Sequence, residues 1–382
     1  MVYRQIEAKA SGLLEKFPLL SIMGPRQSGK TTLAQKLRPN YTFINMELEE
    51  NREFAQSDPH SFLQENQGGV ILDEVQYVPS LFPYLKHYTD LRGKTGEYIL
   101  TGSQHFLLLE KITQSLAGRV AILQLMPFSL TELQAAGFQF PSSEAFILTG
   151  GYPRLFDKNI SPSDYYPNYL RTYVERDVRQ IELRMFRHFL SACAVRIGQV
   201  IDFLELGKLL GIDSKTVKSW LGILEASFIV FLLPPYHRNF DKRIVKSPKL
   251  YFYDTGLACS LLNILTEEQL NAHFAKGALF ENMVITELLK QRFHAAATPA
   301  FYFWLDSNMR EIDLLAEEGA KLKAVEIKAG KTINRDFTKN LFSFQAVAGA
   351  ENVELFLVYG GDQSQARTDL QVLPWNKAAS IF

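Results

Sequence analysis

Cysteine is almost missing from this chain. Cys193 and Cys259 are the two that occur in 382 residues, and neither stands at a metal-ligand spacing. That excludes a zinc ribbon and a disulfide framework, and both read as buried free thiols suited to a reducing cytosol. Net charge is missing too. Lys and Arg total 41 and Asp and Glu total 41, so no whole-chain basic footprint for nucleic acid exists, although a local patch is not excluded. Long apolar runs are absent. The longest, Ser227 to Leu233, stops at Pro234-Pro235, well short of the roughly 20 residues that span a bilayer. Met1 to Lys16 mixes charges of both signs without an apolar centre, which is no signal peptide. The expectation is a cytoplasmic protein that does not enter a membrane.

What is present describes a folded chain with more than one core. Hydrophobic residues make up 47% and aromatic residues 12%, and the length exceeds what one ordinary core serves. The stretch Gly24-Pro25-Arg26-Gln27-Ser28-Gly29-Lys30-Thr31, continued by Thr32, fits G-x-x-x-x-G-K-[ST] at every fixed position. The apolar run Pro18 to Met23 reads as a buried strand entering it, and Thr31 to Leu37 as a helix leaving it, closed by Pro39. The chemistry explains the residue types. Gly24 and Gly29 let backbone N–H groups converge on phosphate oxygens, and the helix N-terminus adds partial positive charge there. Lys30 supplies an ammonium to the β- and γ-phosphates, and Thr31 a hydroxyl to Mg²⁺.

Further motifs follow in order. Tyr41 to Met46 is a second strand. Val70-Ile71-Leu72-Asp73-Glu74 is an apolar strand ending in two acids. Asp73 there can support Mg²⁺, and Glu74 can polarise the attacking water. Leu81 to Leu91 reads as a helix, and Glu97 to Gln104 as a strand with a polar tip. Ser103 and Gln104 can sense a γ-phosphate there, or Ser103 can simply cap a helix. Arg119, before the strand Val120 to Leu125, is the first choice for a transition-state arginine. Arg154, in Gly150-Gly151-Tyr152-Pro153-Arg154, is the second; a structural ion pair is the alternative for each. Strand and helix in alternation predict a parallel sheet with helices on both faces and nucleotide at its carboxyl edge.

The middle of the chain is helical. Tyr165 to Leu183 reads as a long, charged helical stretch. Phe203 to Ile212, a glycine turn, and a helix from Lys215 to Ala226 capped by Asp213 or Ser214 precede the strand Phe228 to Leu233. This order is similar to a winged helix-turn-helix, its hairpin returning through Lys249 to Asp254 and its wing lying in His237 to Lys246. Lys215, Lys218, Arg238, Lys242, Arg243 and Lys246 can meet phosphate; a lid or docking module is the other reading.

In the last third, Phe280 to Leu289 is an amphipathic helix carrying Glu281. Phe301 to Leu305, Glu311 to Ala316 and Val325 to Lys328 are strands. Glu326 and Lys328 stand two apart and share a face, which Asp313 can join. Three acids and a lysine are the set that holds a divalent ion and activates water against a phosphodiester. A salt-bridged group at a sheet edge is the alternative.

Taken together, Gly24 to Thr32, Val70 to Glu74, Thr101 to Ser103, Ser115 to Arg119, Gly150 to Arg154 and Tyr173 to Asp177 resemble a family of prokaryotic AAA-type ATPases close to the archaeal ATPase group. Lys249 to Leu257, Phe280-Glu281-Asn282 and Val325 to Gly330 resemble the C-terminal domain of unknown function that accompanies it, itself similar to the PD-(D/E)XK nuclease fold. The resemblance implies ATP and Mg²⁺ binding, a winged-helix segment and a nuclease-like tail with Glu281, Asp313, Glu326 and Lys328 on its pattern. Ile312 stands where that motif's name has proline. The expected architecture is an α/β multidomain chain. A P-loop AAA-like core occupies 1–160, a helical and winged-helix-like domain 161–260, and a PD-(D/E)XK-like domain 261–382. The expected activity is ATP hydrolysis used as a switch, with an ATP-gated nuclease acting on DNA or RNA as a second reading. A non-hydrolysing scaffold whose tail only binds a partner is the third. An arginine acting in trans requires a homo-oligomer; one from the chain's own lid does not.

Overall fold

The computed structural model describes residues 2–103, 115–174, 183–236 and 247–382. Gln104, Glu175 to Asp177 of the Tyr173 to Asp177 motif, and the wing residues Arg238, Lys242, Arg243 and Lys246 lie outside the described residues.

Five strands form the first sheet: β1 Leu19–Met23, β2 Thr42–Asn45, β3 Val70–Asp73, β4 Tyr98–Gly102 and β5 Val120–Gln124. All pairs are parallel, in the order β2-β3-β4-β1-β5. The central strands β1, β3 and β4 are buried at every position because both faces are covered. On β1, Leu19 and Met23 enter one core, and Leu20 and Ile22 the opposite one. The helices Glu7–Leu14 and Lys30–Leu37 cover that opposite face, contributing Ala10, Leu14, Leu33 and Ala34. The expected two-sided parallel sheet is present, with the loop after β1 and the acids after β3 at its carboxyl edge.

Of the helical stretch expected over Tyr165 to Leu183, the described residues are helical: the α-helix runs Pro162–Tyr169, and Leu170–Val174 adopts the wider π geometry. Pro167 sits inside the helix and has no N–H to give the preceding turn, the usual cause of such a disturbance. Residues 175–182 lie outside the described residues, and a helix covers Leu183–Val195. Helices Phe203–Leu210 and Ser214–Ala226 follow, joined through Gly211 at φ 69° and the N-cap Asp213, whose carboxylate accepts from the Lys215 and Thr216 N–H groups. β6 Val230–Leu233 then pairs antiparallel with β7 Lys249–Phe252, and Val200 bridges Lys249 from the other side.

The tail holds a six-stranded mixed sheet: β8 Phe301–Leu305, β9 Glu311–Glu318, β10 Lys321–Lys328, β11 Val353–Tyr359, β12 Gln365–Arg367 and β13 Leu370–Pro374. Their order is β12-β13-β11-β10-β9-β8. The helix Lys276–His294 packs against it and is buried over most of its length. Two joints tie this part to the middle. The Asn282 side chain both donates to and accepts from the Phe252 backbone, at 2.8 and 2.7 Å. Beyond β6 the chain bridges Phe303 of β8 through Pro235, with the Tyr236 N–H 2.7 Å from the Phe303 carbonyl oxygen. One hydrophobic cluster runs without interruption from Leu19 and Met23 through Tyr166 and Leu224 to Phe303 and Ile381.

Candidate functional site

The phosphate loop is built for backbone to face a ligand. Gly24 has φ 155°, and a Cβ there would lie 2.1 Å from the Leu125 carbonyl oxygen. Even alanine is therefore refused. Among the described residues the buried Lys30 ammonium reaches only loop carbonyls, Gly24 O at 3.0 Å and Pro25 O at 2.8 Å. Burial pushes it down to about 8, although Glu74 and Asp73 pull the other way. The Ser28 hydroxyl is buried without a partner among the described residues. An ammonium withdrawn from water and an orphaned hydroxyl suit an anion.

The acids after β3 meet the loop. Thr31 Oγ1 donates to Asp73 Oδ1 at 2.8 Å, and Thr101 donates to the same oxygen. Glu74 leaves the strand at φ 54°, which turns its carboxylate away from β3. Ser103 Oγ donates to it at 2.9 Å, and Gln76 donates as well. Burial works to raise Glu74, but the Lys30 ammonium and these two hydrogen bonds outweigh it and hold the carboxyl below its usual range. Ser103 therefore bonds the candidate water-activating acid. β4 lies between β3 and β1, which is why its tip comes here.

Arg119 does not stand beside the nucleotide edge. It precedes β5, at the amino end of a parallel sheet, where its carbonyl accepts from the Leu19 N–H. The five-residue strand separates it from the loop by roughly 16 Å at ~3.3 Å per residue. Its guanidinium forks onto the Asp90 carboxylate at 2.6 and 3.0 Å, the structural ion pair of the alternative reading. Arg154 is at the right edge. It lines a cavity of about 770 Å³ with Lys30, Thr31, Glu74, Phe128, Phe138 and Phe156.

Arg4 lay outside the motifs read above. Its buried guanidinium donates to Ser28 O of the loop at 2.9 Å and to Met126 O at 2.6 Å, and pairs with Glu132 at 3.0 Å. No local pattern marks a lone arginine near a helix start. Tyr165 also reaches the loop, donating to Gln27 Oε1 at 2.9 Å.

The second cluster lies in the tail. Glu281, on its long helix, meets Glu311 and Asp313 of β9, with ligand oxygens all within 4.8 Å. Lys328 pairs with Glu326 at 2.7 Å and with Asp313 at 3.3 Å. All four expected residues are thus brought together. Glu311, Lys249 and Tyr251 were not foreseen. Glu311 carried a signal: it is two residues from Asp313 on a strand and shares its face. Lys249 and Tyr251 arrive from β7; Lys249 pairs with Glu281 at 3.2 Å and also with Glu311, and Tyr251 donates to Glu281. Burial pushes Glu281 up to about 7 and Glu326 up to about 8, with Asp313 adding to both. Burial alone would lower Lys249 and Lys328, yet the surrounding carboxylates hold both above the ordinary lysine range. Four carboxylates face two ammoniums, and Glu326 Oε2 is buried without a partner among the described residues. That donor set fits one divalent cation.

Comparison with known proteins gives three family matches along the chain. Residues 16–134 match the family described as AAA domain; 141–268 and 276–378 match two domains of unknown function, DUF8612 and DUF4143. The uncharacterized proteins Rv2008c of Mycobacterium tuberculosis and Mb2031c of Mycobacterium bovis are each 28% identical over 380 residues, spanning 97% of this chain and 82% of theirs. Among solved structures, the Walker-type ATPase PABY2304 of Pyrococcus abyssi is 16% identical with TM-score 0.48, over 68% of this chain and 95% of that one. AMPPCP-bound DnaA from Aquifex aeolicus is 15% identical with TM-score 0.28, over 58% and 86%. The first third of the chain, which holds the match to the AAA domain model, has a P-loop NTPase-like parallel-sheet core. No helix among the described residues is long and apolar enough to cross a membrane.

Proposed function

We propose that this chain is a Mg²⁺-dependent ATPase that uses its nucleotide state as a switch. The reading rests on one juxtaposition: the loop's Thr31 bonded to Asp73, and Ser103 bonded to Glu74, beside a buried Lys30. Lys30 would pair with the β- and γ-phosphates, while Thr31 and Asp73 would hold the Mg²⁺ shell. When bound, Mg²⁺ supplies charge neutralisation across those phosphates. Glu74, kept ionised by its neighbours, orients and polarises the attacking water. Ser103 holds that carboxylate and stands where it can report the γ-phosphate. Arg154 offers charge from the cavity wall. Replacing Glu74 by Gln should retain ATP and lower turnover by a hundredfold or more, about 3 kcal/mol of barrier. Undiminished hydrolysis in that variant overturns the assignment.

The tail cluster favours a second, compatible activity: metal-dependent cleavage of DNA or RNA. Glu281, Glu311, Asp313 and Glu326 would hold the cation, which when bound acts as a Lewis acid on the phosphodiester. Lys328 would position the nucleophile. The helices from Leu183 to Ala226 and the β6–β7 hairpin have the order of a winged helix, and Lys215 and Lys218 on it are candidates for phosphate contact. Incubation with DNA or RNA and Mg²⁺ or Mn²⁺ should give cleavage that Lys328→Ala abolishes. Cleavage surviving that change assigns it elsewhere. Stable ATP occupancy with neither hydrolysis nor cleavage would instead make the chain a nucleotide-dependent scaffold.

A further inference from the structure

Arg154 lines the nucleotide cavity, and its guanidinium pairs with no carboxylate among the described residues. What holds it there is the turn Gly150-Gly151 just before its helix, Pro153–Asp157. That turn is gripped from a distance of about a hundred residues in sequence. Asp254 Oδ2 accepts from the Gly151 N–H at 2.8 Å, and Asp254 Oδ1 accepts from Tyr166 Oη at 2.6 Å and from the Leu257 N–H at 3.1 Å. On the other side, the Gly151 carbonyl accepts from the Phe128 N–H at 2.8 Å, and Phe128 is itself part of the cavity wall. The fit leaves no slack. A Cβ on Gly150 would lie 2.2 Å from Tyr166 Oη and 2.4 Å from Asp254 Oδ1; one on Gly151 would lie 2.3 Å from Phe128 O. Asp254 is 4% exposed and is not among the residues that line the cavity.

Resting on the ATPase reading above, we propose that Asp254 is a positioning residue for ATP hydrolysis, acting through the Gly150-Gly151 turn to hold Arg154 toward the γ-phosphate. Its carboxylate is spent on one backbone N–H of that turn, on the tyrosine packed against it, and on capping its own helix. Asp254→Asn keeps the volume but turns an NH₂ group on the Gly151 N–H at the Oδ2 position, or on the Leu257 N–H at the Oδ1 position, so one of the two backbone bonds is lost. The turn then loosens and Arg154 is misplaced, while the phosphate loop is untouched.

The test is a double-mutant cycle on the full chain, reading kcat at saturating ATP–Mg²⁺ and affinity by titration with labelled ATP. Arg154→Ala and Asp254→Asn should each lower kcat by about tenfold or more with affinity changed less than about threefold. In the Arg154→Ala background, Asp254→Asn should cost less than about twofold, because the residue it serves is already gone. Multiplicative losses, or an Asp254→Asn protein with unchanged kcat, overturn the proposal. If Asp254→Asn does not fold, Tyr166→Phe removes one bond to the same carboxylate. It should lower kcat by about twofold to fivefold, and that loss should vanish beside Arg154→Ala; a loss that persists overturns the proposal. Turnover that survives Lys30→Ala removes the ATPase reading and this proposal together. Lys30-dependent turnover with a multiplicative cycle removes this proposal alone.

Discussion

Lys30 is an ammonium placed where little water reaches it. Burial brings it to about 8, against 10.5 in the open chain. Between those values the unfolded chain binds more protons, so without nucleotide the folded state gains stability as pH rises through that window. Phosphate binding has the opposite sign, because only the charged amine pairs with phosphate. ATP affinity should hold below pH 8 and weaken toward tenfold per pH unit above it. Titration with labelled ATP at pH 7, 8 and 9 checks this, and a flat profile contradicts it. The loop was readable from sequence because its chemistry is contiguous: eight residues carry their own turn, charge and hydroxyl. Arg4 was not, because it meets Ser28, Met126 and Glu132 only after three separated segments have folded. Arg119 was misplaced for a related reason. Sequence shows that an arginine precedes a strand, but which edge of the sheet is the working one comes from all five strands running the same way.

Among elements, the helix Lys276–His294 has the most to hold. One end presents Glu281 to the acidic cluster. Toward the other, Lys290 donates to Phe128 O at 2.9 Å and pairs with Glu287 at 2.8 Å, while Glu287 accepts from the Leu130 N–H at 2.7 Å. His294, pushed down to about 4 by burial, lies 3.6 Å from Glu132. Lys290→Met keeps the length but strands a buried carboxylate and a carbonyl. It should cost about 3 kcal/mol, read as a lowered denaturation midpoint with an unchanged slope. A loss below about 1 kcal/mol would mean that water reaches the pair. Elements of the first half were legible because apolar runs of four or five residues bounded by glycine and acids mark buried parallel strands. The change from α to π geometry after Tyr169 was not legible, because a proline inside a polar helical pattern leaves open whether the chain kinks or carries on. Strands β11 to β13 carried no chemical motif, so nothing singled them out.

At the scale of the molecule, length and composition pointed to more than one core, and the order of motifs to three parts. The packing does not stop at 160 or at 260: Tyr165 and Tyr166 pack with Tyr152, and Phe252 is bonded on both backbone groups by Asn282. A chain ending after residue 260 would bare the face of β7 that Asn282 covers and the apolar side of the helix Thr255–Leu261. It should bind the dye ANS and melt without a cooperative transition; a fragment melting as sharply as the intact chain refutes this. Composition counts apolar residues but is blind to where their faces meet, so these contacts across 160 and 260 were not legible in it.

The strand that leaves the hairpin at Pro234 and joins the tail through Phe303 has a practical corollary. Anyone building a chimera from this protein would have to move its last two thirds as a single graft. A recombination crossover placed between Leu233 and Phe303 would cut through paired backbone, whereas a seam nearer residue 140 crosses no paired strand of either sheet.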